Sequence, residues 1–331
     1  MLYPFKFKPQ LFHKIWGGHI IEKWYDNVPA GYENVGEAWV MSDIERFPTA
    51  VANGSHEGDE LQDLIEVYMD ELVGEKVFEV FGTRFPLLLK FIDATDDLSI
   101  QVHPDDEYAR IHENGSLGKT EMWYVLDATK DAKLVYGFHH DVTKETLRDS
   151  IEKGVLEKHL QKVPIKKNDV FFIEAGTVHA IGAGALIAEI QENSNLTYRM
   201  YDYDRVDKNG KKRELHVEKA LEVANLKSSK EPKQPMRVLR FKKGYATELL
   251  SRCQYFQVER MLLNTEICRE MAQFQTGSNS FQVLLCTKGC GVMYWEDGGM
   301  INFYKGDCMF LPANSIPIKL HGKAQILKVE C

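Results

Sequence analysis

The sequence predicts a mainly β protein, with a Greek-key jelly-roll core, a second β domain towards the C-terminus and a few helices. Three observations carry this. Short runs rich in apolar, β-branched and aromatic residues recur along the chain, parted by Gly, Asp and Asn. A charged segment with two prolines, 227–235 (KSSKEPKQP), separates those runs into two groups. The groups also echo one another. Lys167–Ala175 reads KNDVFFIEA and Lys305–Ala313 reads KGDCMFLPA, each a turn, an acid, an apolar strand and an Ala followed by Gly or Asn. The echo predicts two related β units, of which only the first leads to a histidine, His179.

Taken in order, strands are expected over Phe85–Asp93, Leu98–His103, Glu121–Leu126 and Lys133–Phe138, then Val170–Ile173, Ala185–Gln191 and Leu196–Tyr201. Helical spacing of Leu61, Leu64, Ile65 and Tyr68 predicts a helix within Asp59–Leu72. Thr143–Gly154 opens on a capping Thr and closes on Gly, and Glu214–Asn225 is a third helix. After the linker, Met236–Cys331 reads as nearly continuous short strands. The expected division is therefore a domain over 1–226, the linker 227–235 and a β-sandwich over 236–331.

With 331 residues, 44% hydrophobic and 27% charged, the chain is long enough for one large core or two moderate ones. Its formal net charge of −8 argues against a general nucleic-acid binder. No apolar run of about 18 residues suggests a transmembrane helix, and the first residues lack the apolar stretch of a signal peptide. The six cysteines all lie in the last third, a poor match to a secreted disulfide framework. A reduced, cytoplasmic protein with mostly buried thiols is expected. Cys286 and Cys290 fall in a strand-and-turn segment and read as ordinary core cysteines rather than a metal pair.

Chemistry concentrates in four segments. In LSIQVHPDD (Leu98–Asp106), strand alternation puts Ser99, Gln101 and His103 on one face and Ile100 and Val102 on the other. Such a face is equally that of a solvated strand. In KTEMWYVL (Lys119–Leu126), Lys119, Glu121 and Trp123 share a face. A buried Glu121 would need a cation, and an exposed one would be a strand end. His179 follows Gly176 in EAGTVHAIG and alone would suit a hydrogen-bonded core histidine. Together, one amide, two imidazoles and one carboxylate make a donor set for a borderline metal such as Zn²⁺. Further on, Glu189 and Gln191 share a strand face. In NLTYRMYDYDR (Asn195–Arg205), Arg199 falls with Tyr201 and away from Tyr198 and Met200, placed either to pair with a carboxylate or to bind an anion.

These motifs form a pattern. QVHPDD, KTEMW, AGTVHAIG and TYRMYDYDR, preceded by HKIWGG at His13–Gly18 and GEAWVMS at Gly36–Ser42, resemble the short form of the type I phosphomannose isomerases. The steps from His103 to Glu121, to His179 and to Arg199 are 18, 58 and 20 residues. The resemblance runs from about Lys8 to Arg205 and more loosely beyond. It implies a cupin jelly-roll catalytic core, a degenerate cupin-like C-terminal domain, and isomerisation of mannose 6-phosphate and fructose 6-phosphate. It implies one zinc ion per chain on Gln101, His103, Glu121 and His179, and Arg199 as the catalytic arginine. Trp16, Glu37, Lys90, Ser99, Lys119 and Glu189 would line the sugar-phosphate pocket, with Glu189 one candidate for the base. The chain departs from similar short forms at Asn195, where an aspartate is usual. A redox cupin would draw on a His-x-His pair rather than Gln101-Val102-His103, and a non-catalytic sugar-binding cupin would be expected to have lost ligands.

Overall fold

The structure, a computed structural model of the chain, describes residues 2–25, 34–207, 209–268 and 270–331. Two compact units divide it. One is Met1–Leu11, Trp39–Lys90 and Pro235–Cys331, and the other is Phe12–Ala38 and Phe91–Gln234. This partition differs from the expected 1–226, 227–235 and 236–331, and strand pairing is the reason. Strand Phe5–Lys8 lies antiparallel to Cys308–Leu311, with Phe5 opposite Phe310, and takes Ala50–Val51 on its other side. Nor is 227–235 a bare tether. The Ser229 amide donates to the Phe138 carbonyl at 2.8 Å, and the Gln234 carboxamide brackets the Val170 backbone.

In the first unit, the long strands Gln282–Trp295 and Ile318–Glu330 pair antiparallel over a core that includes Leu284, Phe303, Met309 and Ile326. Phe303 and Phe310 are buried, and Tyr304 is exposed. The cysteines also depart from the mostly buried expectation. Cys286 and Cys308 are buried, Cys253 is half-buried, and Cys290 and Cys331 are exposed. The register shift between Cys286 and Lys288 turns the strand just before Cys290.

The sequence echo is a structural repeat. In the second unit, the Asp169 carboxylate accepts the Lys166 amide, Asn168 has φ +73°, and Asn168 N–H bonds the Val125 carbonyl. In the first unit, the Asp307 carboxylate accepts the Tyr304 amide, Gly306 has φ +99°, and Gly306 N–H bonds the Cys286 carbonyl. Both turns need a left-handed residue, which Asn and Gly supply at least cost. From there the ladders match. Ile173 faces Glu121 in one unit and Leu311 faces Gln282 in the other. The counterpart of Glu121 is thus Gln282, and counting on from the shared alanine, that of His179 is Pro317. The second copy keeps the turn but carries a carboxamide and a proline where the first carries the carboxylate and the imidazole.

The second unit is two antiparallel sheets. Val170–Ile173, Glu121–Ala128 and Ala185–Glu192 are consecutive strands of one sheet. The other runs Tyr198–Tyr201, Ile100–Val102, His179–Ile181, Lys133–Phe138, Leu160–Pro164. Alternation sorts their side chains. Trp123, Val125, Leu134, Ile181 and Ile187 join one core cluster, together with Trp16. Ile100, Val102, Val135, Ala180 and Met200 face the other way, into a cluster completed by Leu147 and Leu221 from two helices. Those helices are Lys144–Glu152, capped by the Thr143 hydroxyl, and Val217–Val223. The expected helix in 59–72 is broken at Met69 (φ +46°) into Leu61–Tyr68 and Asp70–Val73. Short helices at Glu75–Phe81, Asp106–His112 and Thr265–Cys268 were not anticipated.

Candidate active site

Four neighbouring strands bring their residues to one level. Arg199 is opposite Gln101, Gln101 is opposite His179, and His179 is opposite Tyr136. In the facing sheet, Glu121 pairs with Gln191 and Trp123 with Glu189. Glu121 shares its face with Trp123 and Val125, so it lies at the polar end of the apolar cluster between the sheets.

His103, Glu121 and His179 are all buried and each brings one donor atom within 4.8 Å of the others. His179 Nε2 lies 3.3 Å from Glu121 Oε1, and His103 Nε2 lies 3.8 Å from Glu121 Oε2. The Gln101 carboxamide reaches to 3.4 Å from His179 Nε2. His179 Nδ1 donates to the Thr177 carbonyl at 2.8 Å, which leaves Nε2 as the lone-pair nitrogen aimed at the cluster. Burial pushes the His179 imidazole down to about 4, against the opposing pull of that carbonyl. It is neutral at pH 7, as a ligand must be. The donor set suits a borderline divalent metal: two imidazoles, one carboxylate and an amide within reach.

Lys119 Nζ stands 3.2 Å from Glu121 Oε2 and is buried. Burial pulls its pKa down, but Glu121, Glu189 and Glu37 outweigh burial and hold it above the usual lysine value. Glu189 is buried, and its Oε2 accepts the Trp123 indole N–H at 2.9 Å. Arg199 Nε donates to Ser99 Oγ at 3.2 Å and its Nη1 to the Glu214 carbonyl at 2.9 Å. Its backbone is held as well, since His216 N–H donates to the Arg199 carbonyl and His216 Nδ1 accepts the Arg199 amide. Burial, then Arg213, lowers the Arg199 pKa, and the guanidinium stays charged.

The other expected pocket residues have their own partners, although Glu37 also acts on Lys119. Trp16 is 2% exposed and packed in the core cluster. Glu37 accepts an ion pair from Lys14 Nζ at 3.1 Å. Lys90 ends a segment of the first unit, with Nζ 5.0 Å from the Trp39 ring centroid. Asn195 is exposed. The expectation that Tyr201 shares the Arg199 face fails. The register shifts between Arg199 and Tyr201, and Tyr201 packs on the helix-covered cluster instead. His216 was missed because it reads only as the entry to a helix. Tyr136 was missed because nothing in its own segment marks the register.

The family model for "Phosphomannose isomerase type I, catalytic domain" matches residues 4–117, the part that contains Gln101 and His103. The mannose-6-phosphate isomerase ManA of Bacillus subtilis is 39% identical over 98% of this chain and 98% of its own length. The mannose-6-phosphate isomerase of Streptococcus mutans is 42% identical over 68% of this chain and 69% of its own. The crystal structure of the Bacillus subtilis mannose 6-phosphate isomerase superposes with a TM-score of 0.87 at 34% identity, covering 98% of this chain and 99% of that one. The chain belongs to the type I phosphomannose isomerase family.

Proposed function

We propose that the chain is a zinc-dependent aldose–ketose isomerase that interconverts mannose 6-phosphate and fructose 6-phosphate through a cis-enediol, in the cytoplasm. The observation that carries this is the buried His103, Glu121, His179 cluster, with Gln101 beside it and a fixed arginine at the same strand level. Gln101, His103, Glu121 and His179 would hold one metal ion per chain. Bound there, the ion supplies Lewis-acid stabilisation of substrate oxygens.

The remaining work falls to side chains. The reaction moves a proton between C1 and C2 and needs a base, a stabiliser of negative charge and a grip on the sugar phosphate. Arg199 is charged and held at two guanidinium nitrogens, so it meets the enediolate with little reorganisation. Glu189 is the side-chain candidate for the base. Its Oε2 is oriented by Trp123, which fixes the direction of the carboxylate. Lys119 offers a positive ammonium to a substrate oxygen at the metal end, and Trp16 and Glu37 serve as the wall and rim of the pocket. Ser99 acts here through Arg199. Lys90 has no part in this reading.

The test is a coupled assay for fructose 6-phosphate made from mannose 6-phosphate, before and after chelation and zinc add-back. Loss and recovery of turnover support both isomerase and metal. Arg199→Ala should abolish turnover while zinc content stays at one per chain. Full turnover in that variant, or iron with oxygen consumption in the purified protein, would sink the reading.

A further inference from the structure

One buried acid takes no part in that mechanism. Glu192 is 2% exposed, at the end of strand Ala185–Glu192. Its Oε2 accepts the Thr120 amide at 2.6 Å, and its own amide donates to the Thr120 carbonyl at 3.1 Å. Its carboxyl also hydrogen-bonds the Asp106 side chain. Asp106 Oδ1 in turn accepts the Gly118 amide at 2.8 Å, and the amide between them, Lys119 N–H, donates to the Pro104 carbonyl at 3.0 Å. Three consecutive amides are therefore gripped. Gly118 is needed for the close approach, because a Cβ there would come within 2.5 Å of the Asp105 carbonyl carbon. This segment carries Lys119 at its centre and runs directly into Glu121.

Two carboxyl groups hydrogen-bond each other only with a proton between them. We propose that Glu192 is a positioning residue for the isomerase reaction: it shares a proton with Asp106, and the pair clamps residues 118–120 so that Lys119 and Glu121 keep their working geometry. This rests on the isomerase reading above. Burial first, then the Asp106 charge, pushes the Glu192 carboxyl up to about 8, while the Thr120 amide and hydroxyl pull it down. Asp106 faces it from the helix side and Thr120 from the strand side, and its carbonyl takes only the uncharged Gln191 Nε2 and Ser194 amide. The clamp is closed at neutral pH. It opens as pH rises through about 8, when the proton is lost and two like charges remain.

Glutamine reproduces the protonated form, since its Oε1 can accept from Thr120 and its amide can donate to Asp106. Wild-type kcat should fall between about pH 7 and 9 as the pair ionises. Glu192→Gln should match wild type at pH 7 within about twofold and lack that fall. Glu192→Ala should lose about tenfold in kcat at pH 7, with KM and metal content near wild type. An unchanged alkaline fall in the Gln variant, or wild-type turnover in the Ala variant, overturns the proposal. If the wild type shows no isomerase activity at any pH, the isomerase reading fails instead. The clamp is then judged by amide hydrogen exchange: Thr120 N–H should be protected in wild type and Gln and unprotected in Ala. Equal protection in all three overturns it.

Discussion

Arg199 and Ser99 are joined side chain to side chain, the arginine Nε donating to the serine Oγ at 3.2 Å. The serine immediately precedes strand Ile100–Val102 and is buried, so its hydroxyl faces the arginine rather than solvent. A hydrogen bond to a charged group contributes about 1.5–3 kcal/mol. Ser99→Ala should therefore lower kcat by roughly 10- to 100-fold with little change in KM for the sugar phosphate. A variant that raises KM and spares kcat would make Ser99 a substrate contact instead. Steady-state kinetics decide it.

On the proposed reading, Lys119 and the metal would be alternative partners for Glu121. Without metal, the lysine at 3.2 Å is the nearest cation to the buried carboxylate. Breaking a buried pair costs about 3–5 kcal/mol. Lys119→Met should cost about that much in chelated protein and less than half as much when zinc is bound, because the ion then balances the carboxylate. Urea unfolding with and without zinc measures both values. Equal losses in the two states would show that the metal does not engage Glu121.

Metal binding should also appear as stability. A ligand at one hundred times its Kd adds about 2.7 kcal/mol to a folded protein. Chelation should thus lower Tm by about 5 °C or more, with recovery on zinc and no recovery in His103→Ala. Calorimetry reads this without any assay of turnover.

Asp43 offers a separate pH handle. Burial raises its carboxyl to about 6, opposed by the Phe85 amide and Arg84. A carboxyl raised in the folded state adds stability that is complete below its unfolded value of 3.8 and is lost as pH climbs through about 6. Asp43→Asn should therefore stabilise the protein above pH 6 by on the order of 1 kcal/mol, allowing for partial solvent screening, and leave it unchanged near pH 4. Chemical denaturation at the two pH values is the measurement.

Much of this was legible in the sequence. Strand alternation alone put Ser99, Gln101 and His103 together, and the observed Ile100 and Val102 lie in the opposite cluster. Lys133–Phe138 and Val170–Ile173 were bounded to the residue, since each is a short apolar run between turn signals. What stayed hidden depended on partners distant in sequence. Phe5–Lys8 joins the C-terminal strands by pairing, and no local pattern records whom a strand pairs with. The bulge after Arg199 reversed Tyr201, because alternation assumes an unbroken ladder. Glu192 lies one residue beyond the expected strand Ala185–Gln191 and nothing local marks it, because its partners Asp106 and Thr120 lie more than 70 residues earlier.

The alignment of Arg199, Gln101, His179 and Tyr136 across four neighbouring strands makes the site digital. Its spacings come from the sheet's own repeat, not from loops. A strand cannot slide a little: one residue of slip brings a neighbour of the arginine to the level of Gln101, and restoring the face takes two residues, roughly 6.6 Å. Insertions near the 207–211 turn can therefore accumulate without detuning the arginine as long as Glu214 and His216 keep their bonds to it, whereas any change within Tyr198–Tyr201 that moves the register switches the centre off in a single step.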